Sequence, residues 1–331
     1  MQFTIRQREF IFTDERPFAS CHASTLVVLP NQEILAAWFG GSEEGADDVA
    51  IWCSRRSQGK WSPPICIADE EGLPHWNPVL FSAPDGRIFL FYKVGKQIPS
   101  WQTRVMISED QGETWSAPRE LVPGDRGGRG PVKNKPIVAF DGTWLAPASI
   151  EGDRWDAFVD RSRDQGATWQ QSSLVPLARP GTGETAEDQP LVTGKGVIQP
   201  TLWQSQPGRV HMLLRSTEGR IFRSDSNDNG QSWSRAYPID MPNNNSGIDL
   251  AQTPQGYLAL AYNPVGENWG ARTPLVVAGS SDNGITWPAM ITLEEDEGEF
   301  SYPAIVATQD GIYLTYTWNR TRIAFCELSL D

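Results

Sequence analysis

Ser108-Glu109-Asp110-Gln111-Gly112-Glu113-Thr114-Trp115 returns three times along the chain. The copies are Ser162-Arg-Asp164-Gln-Gly166-Ala-Thr168-Trp169, Ser226-Asn-Asp228-Asn-Gly230-Gln-Ser232-Trp233 and Ser280-Ser-Asp282-Asn-Gly284-Ile-Thr286-Trp287. The shared pattern is S-x-D-x-G-x-[ST]-W, and successive tryptophans are 54, 64 and 54 residues apart. A worn fifth copy, Ser54 to Gly59-Lys60-Trp61, lacks the Asp and lies 54 residues before Trp115. A repeat of this period marks stacked units that share one core. Asp and Gly two apart make a tight turn: the carboxylate bonds nearby backbone N–H groups, and Gly supplies a positive φ. Each copy follows an alternating strand such as Arg104-Val-Met-Ile107, so the motif reads as a hairpin turn with its Trp packed between repeats. Asp110, Asp164, Asp228 and Asp282 are read as structural and remote from chemistry.

A second repeat lies between these turns. Short apolar strands opened by Pro recur at Asn77-Pro78, Lys135-Pro136, Gln199-Pro200 and Tyr302-Pro303, and Ser24 and Gly247 fill the same slot. The six slots fall at 24, 78, 136, 200, 247 and 303. Pro is tolerated at the first residue of a strand, where it need not donate to the ladder. Each slot leads into a strand, a turn with Gly, and further strands. Six such four-stranded units describe an all-β, six-bladed β-propeller filling residues 1–331 as one domain. The N-terminal strand Gln2-Phe-Thr-Ile-Arg-Gln7 is expected to complete the last blade, since closure removes exposed edges.

Composition agrees: 30 Gly, 25 Pro and 14 Trp, with no long amphipathic helix. A net charge of −13 argues against nucleic acid as a partner. The start, Met1-Gln-Phe-Thr-Ile-Arg6, has no apolar run of a signal peptide, and no stretch is long enough for a membrane span. A cytoplasmic protein is the expectation. Cys21, Cys53, Cys66 and Cys326 match neither a disulfide framework nor a zinc site; no metal or cofactor is expected.

In a propeller the inner strands begin around one mouth of a central channel. The residues at those openings are His22; His75, Trp76 and Asn77; Lys133, Asn134 and Lys135; Gln199; Asn243, Asn244, Asn245 and Asp249; and Tyr302. So polar a rim suits a carbohydrate, whose hydroxyls need donors and acceptors and whose faces stack on aromatic rings.

The Asp motifs, the six units and the slot strings resemble the sialidase (neuraminidase) superfamily over essentially the whole chain. The resemblance implies a glycoside hydrolase acting on a sugar that bears a carboxylate. An acid/base Asp before a strand leading to Arg-Arg-Ser matches Asp47 or Asp48, ahead of Ser54-Arg55-Arg56-Ser57. Two carboxylate-binding arginines are similar to Arg215 and Arg272, and the nucleophilic Tyr to Tyr302. Two positions depart: His22 stands where the family has its first Arg, and Gln199 where it has a Glu that takes the nucleophile's proton. Gln is no base, and a free tyrosine phenol is about 0.1% ionised at neutral pH.

The set is compatible with three activities. In a glycosidase, Asp47 or Asp48 protonates the leaving oxygen, and Tyr302 or a water activated by His22 attacks the anomeric carbon. In a lyase acting on a uronic acid, Arg and Gln199 neutralise the carboxylate while His22 or Tyr302 abstracts the C5 proton. In a non-catalytic propeller the same rim only binds glycan. The first is the leading expectation, with Arg215 and Arg272 as the carboxylate clamp and His75, Asn77, Lys133, Lys135, Asn244, Asn245 and Asp249 as further substrate contacts.

Overall fold

The computed structural model describes residues 1–180 and 191–330. It is a six-bladed all-β propeller, each blade an antiparallel meander. Blade I is Ser20–Val28, Ile34–Gly41 and Ala50–Ser57, with Lys60–Trp61 and Ile65–Ala68 both pairing to the third strand. Blade II is His75–Ser82, Ile88–Val94, Gln102–Ser108 and Arg119–Glu120; blade III is Ile137–Val138, Trp144–Glu151, Trp155–Ser162 and Gln170–Gln171. Blade IV is Val197–Gln206, Arg209–Ser216, Arg220–Ser226 and Tyr237–Pro242; blade V is Asp249–Gln252, Leu258–Tyr262, Leu275–Ser280 and Ala289–Glu294. Blade VI is Phe300–Ala307, Ile312–Trp318 and Arg322–Leu330, and its outer strand is the N-terminal Phe3–Phe10. That last pairing brings the two ends of the chain into one sheet and leaves blade VI no open third strand. Among the described residues the helical content is one 3-10 turn, Ile98–Ser100, and no helix is long and apolar enough to cross a membrane.

The Asp motifs close the hairpins between third and outer strands. In the first, Asp110 accepts from Thr114 N at 2.9 Å, Thr114 Oγ1 at 2.6 Å and Ser108 Oγ at 2.8 Å, and Gly112 N donates to Ser108 Oγ at 2.7 Å. The other three copies repeat this set. Each turn needs two successive left-handed residues, such as Gln111 at φ 60° and Gly112 at φ 86°, which is why Gly is fixed in the motif. The worn copy keeps the same geometry at Gln58 and Gly59 without the Asp. The tryptophans pack between blades; Trp169 meets Phe91 of blade II at 6.1 Å and its own blade's Trp144 at 6.5 Å.

The Pro slot differs from its expected form. Pro78, Pro200 and Pro303 are not the first residues of their strands. They sit inside the strands, at register shifts between Trp76 and Val79, Ile198 and Thr201, and Ser301 and Ala304; blade I shifts likewise between His22 and Thr25. Each shift carries one left-handed non-glycine residue: Ala23 (φ 53°), Asn77 (φ 36°), Gln199 (φ 52°) and Tyr302 (φ 51°). A β-bulge leaves one residue off the ladder, so Pro loses nothing there. The freed backbone groups are caught by the adjacent blade. Thr317 Oγ1 accepts from Ala23 N at 3.2 Å, Ser149 Oγ accepts from Gln199 N at 3.3 Å, and Asn134 Nδ2 donates to the carbonyls of Gln199 and Pro200. The bulge therefore re-aims the side chain at the same height in four blades, all at one mouth.

Candidate functional site

The strained openings of the inner strands and the hairpins between second and third strands share one mouth; the Asp motifs lie at the other. Tyr302 is the hub. Its phenolic oxygen accepts from Arg215 Nη1 at 2.8 Å, its ring centroid lies 4.2 Å from that of His22, and the guanidiniums of Arg215 and Arg272 stand 5.8 and 5.6 Å from its ring. Beneath it the buried Lys133 reaches across the channel, its Nζ donating to Asn134 Oδ1 at 2.9 Å, Ile248 O at 3.1 Å and Pro303 O at 2.5 Å. Burial pulls this amine down to about 7, yet three acceptors match the three N–H of an ammonium. Gly247 is required at this spot: a Cβ there would lie 2.8 Å from Lys133 Cε and 3.3 Å from the Tyr302 ring.

Arg215 spends its fork inside the protein. Nε and Nη2 donate to Asn245 Oδ1 at 3.0 and 2.9 Å, and Nη1 also donates to Gln199 Oε1 at 3.1 Å. It is 3% exposed and no carboxylate pairs with it among the described residues. Trp155 and Trp269 flank it, with ring centroids 5.5 and 6.0 Å from the guanidinium. Trp269 is 64% exposed at the rim and left-handed at φ 60°, a strained presentation of an aromatic face. Gln199 Nε2 faces Glu151 Oε1 at 3.4 Å, and Ser149 Oγ donates to the same oxygen at 2.9 Å. Burial raises the Glu151 carboxyl above the ordinary glutamate range, against the pull of Arg215 and these hydrogen bonds. It is the carboxylate that the Gln at 199 lacks, supplied one blade earlier.

His22 is buried and its Nδ1 has no hydrogen-bond partner among the described residues. Burial, and then the charges of Arg320, Arg272, Lys133 and Arg215, push it well below the usual histidine value, so it is a neutral ring packed against Tyr302. Arg272 donates to Glu299 Oε1 at 2.7 Å, and Arg320 donates to both Glu299 oxygens at 3.0 and 3.1 Å. Burial opposes ionisation of Glu299, but the two arginines hold it below the ordinary range.

The rim residues expected around this site divide. His22, Gln199, Arg215, Arg272, Tyr302, Asn245 and Lys133 form the connected cluster. His75 does not join it: it is fully buried, Nε2 accepts from Glu70 N at 3.0 Å, and Nδ1 faces Val49 O at 2.8 Å and Leu73 O at 2.9 Å. It braces backbone and has no nitrogen left for a substrate. Lys135 and Asp249 pair with each other at 3.0 Å down the channel, where Asp249 also accepts from Thr201 Oγ1 and Ile305 N. This pairing holds both away from the Tyr302 cluster, and Lys135 borders the opposite opening. That opening is a cavity of about 390 Å³ walled mostly by apolar residues such as Leu80, Ile137, Leu202, Leu250 and Val306, with Gln204, Gln252 and Thr308 among its polar groups. Asn77 Nδ2 donates to Val132 O and Asn244 Nδ2 to Ala271 O, so both hold neighbouring loops. Asp48 closes a turn, accepting from Ser42 N and Oγ, which keep it ionised below the usual aspartate value; this suits no proton donor. Asp47 lies exposed on the same loop, 2.8 Å from Lys96.

Glu151, Trp155, Trp269, Glu299 and Arg320 escaped the sequence reading. All sit on the hairpins or strand ends facing the mouth, outside both repeats. The spacing of the second strands, each ending at the mouth, is the signal that could have found Glu151 beside Arg215.

Residues 32–315 match the BNR repeat-like domain. A protein of unknown function from Dyadobacter fermentans superposes with a TM-score of 0.77 at 16% identity, over 99% of both chains. A Hadza microbial sialidase, Hz136, gives 0.78 at 17% identity over 98% of this chain and 68% of its own. The NanB sialidase from Streptococcus pneumoniae gives 0.75 at 13% identity over 97% of this chain and 70% of its own. With its four Asp turns, six bladed sheets and these likenesses, the chain belongs to the BNR repeat-like family as a divergent sialidase-like propeller.

Proposed function

We propose that the protein cleaves glycosides of a sugar carrying a carboxylate, with Tyr302 as the reacting group. One observation carries this reading: the Tyr302 oxygen is held at 2.8 Å by Arg215, on a strained residue, where six strands converge. A guanidinium donating to that oxygen stabilises negative charge on it, as a nucleophile or base requires. In the hydrolase reading, Tyr302 attacks the anomeric carbon as Asp47 protonates the leaving oxygen, and water deprotonated by Asp47 then cleaves the tyrosyl–sugar bond. Glu151 exchanges the proton that Gln199 cannot take, a role that suits a carboxyl raised toward neutrality. The exposed Trp269 offers a face for the leaving sugar. That the Hz136 and NanB structures on this fold are sialidases favours hydrolysis.

A second reading, a uronate lyase, is favoured by one feature: among the described residues Tyr302 is bonded to a cation and to no carboxylate. Ionised Tyr302 would then abstract the C5 proton while arginine neutralises the uronate, the C4–O bond would break to leave a C4–C5 double bond, and the phenol would return its proton to the leaving oxygen. Incubation with sialic-acid-capped and uronate-capped oligosaccharides separates the two. Release of the sugar without new ultraviolet absorbance supports hydrolysis; absorbance from a C4–C5 double bond supports elimination. Tyr302→Phe abolishes either. Full activity in that variant, or Arg-dependent binding without turnover, would remove the enzymatic reading.

A further inference from the structure

Blade I has lost the arginine expected at position 22, yet a cation still stands beside His22. Arg320 comes from the hairpin between Ile312–Trp318 and Arg322–Leu330, in blade VI. Both Asn319 and Arg320 are left-handed, at φ 49° and 53°, although neither is glycine. The Arg320 carbonyl accepts from Cys21 N at 2.8 Å, which pins this turn to the residue preceding His22. Such strain at a ligand-facing mouth is held by surrounding structure and needs a reason.

The charges supply one. Arg272 and Arg320 share the single carboxylate of Glu299. Arg320 Nη1 also pairs with Glu44, from the loop between the second and third strands of blade I. With Glu44 in place, two arginines face two carboxylates. Without it the group holds one uncompensated positive charge. The Arg320–Glu44 contact is also the open one, with the side chains 29% and 38% exposed, whereas Arg215 is enclosed and its fork is filled. Nη2 of Arg320 and Nε and Nη2 of Arg272 have no protein partner among the described residues.

We propose that Arg320 and Arg272 together form the substrate-carboxylate site, Arg320 supplying from blade VI the cation that position 22 lacks, and that Glu44 is an internal stand-in that the substrate's carboxylate displaces. This rests on the anionic-sugar reading above and names the residues that make it specific. The exchange is carboxylate for carboxylate, so both guanidiniums stay compensated in either state, and the released Glu44 is solvated at the exposed rim. Glu299 stays as the brace that sets both guanidiniums. A planar fork matters here, because Arg320 must hold Glu299 and an incoming carboxylate together, which a lysine's point charge does less well.

Calorimetric titration with glucuronate and with N-acetylneuraminate, each beside its methyl ester, tests this. Glu44→Gln should tighten binding of the better acid about 3- to 10-fold, and Arg320→Ala should weaken it about 10- to 100-fold, the range for losing one charged partner in a part-exposed site. Arg320→Lys should recover part of the loss and report that the fold survives. The esters should show neither effect. The decisive variant combines Glu44→Gln with Arg320→Ala: the gain from Glu44→Gln should vanish there. A gain that persists without Arg320 overturns the proposal. So does wild-type affinity in Arg320→Ala; if Arg272→Ala still loses affinity, the anionic-sugar reading stands while Arg320 is only a brace. If neither acid binds the wild type, both fall.

Discussion

Arg215→Ala removes the cation that holds the Tyr302 oxygen, and the structure sets how large and of what kind the loss should be. The guanidinium donates to Tyr302, to Gln199 and twice to Asn245, and it is 3% exposed. Breaking a buried, charge-assisted partnership costs about 2–5 kcal/mol. At about 1.4 kcal/mol per decade that is roughly thirty- to several-thousand-fold in kcat/KM. Because the fork is already filled by internal acceptors, the loss should fall on kcat, with KM changing less. Arg215→Lys should not restore it, since one ammonium cannot replace a fork spanning Asn245, Gln199 and Tyr302. Combining Arg215→Ala with Tyr302→Phe should be no worse than Tyr302→Phe alone, because both act through one bond. Steady-state kinetics on whichever capped oligosaccharide is turned over gives all three comparisons. A variant with unchanged kcat and a raised KM would refute the reasoning and make Arg215 a substrate ligand.

Three further outcomes follow from the same contacts. Asp228→Ala should lower stability by about 1 kcal/mol, as for a lost cap, with kcat intact; denaturant unfolding and turnover measure the two, and lost turnover in a folded variant would contradict a structural role. Hydrogen bonds from Thr168 and Thr286 hold Asp164 and Asp282 down at about 2 from an ordinary 3.8. Their stabilisation is thus fully present above pH 3.8 and lost as pH falls toward 2, so Asp164→Asn should flatten the acid limb of melting temperature against pH. Glu151 behaves oppositely: its carboxyl is raised above 4.5, so ionising it costs stability as pH rises through its folded value. Glu151→Gln should raise the melting temperature at neutral pH, gain little at pH 4 and lose activity; an equal gain at both pH values would show that ionisation is not the cause.

The repeat was readable because each Asp turn is a local device whose bonds lie within seven residues of one another, from Ser108 to Thr114, while the count of six came from the strand openings. The Pro slots were found for the right positions and the wrong geometry. A bulge and a strand start both excuse Pro from the ladder, and only the register between His75–Ser82 and Ile88–Val94 separates them. Outer strands such as Lys60–Trp61 and Gln170–Gln171 span two residues, too few to show alternation. In the site, Gln199 and Tyr302 were visible because they occupy the repeating bulge. Lys135 and Asp249 were misplaced because they bond each other across the channel, a contact between blades III and V that the slot repeat does not show. Arg320 and Glu44 lie on unlike hairpins from the first and last blades, 276 residues apart, and only ring closure brings them together.

A crystal structure of Tyr302→Phe with an uncleaved carboxylate-bearing oligosaccharide tests the central claim most directly. The account predicts the carboxylate on Arg272 and Arg320, Glu44 displaced, and the anomeric or C5 carbon within about 3–3.5 Å of the lost hydroxyl's position, a near-attack separation. A sugar bound at the opposite, apolar mouth, or one whose carboxylate points away from both arginines, would contradict it.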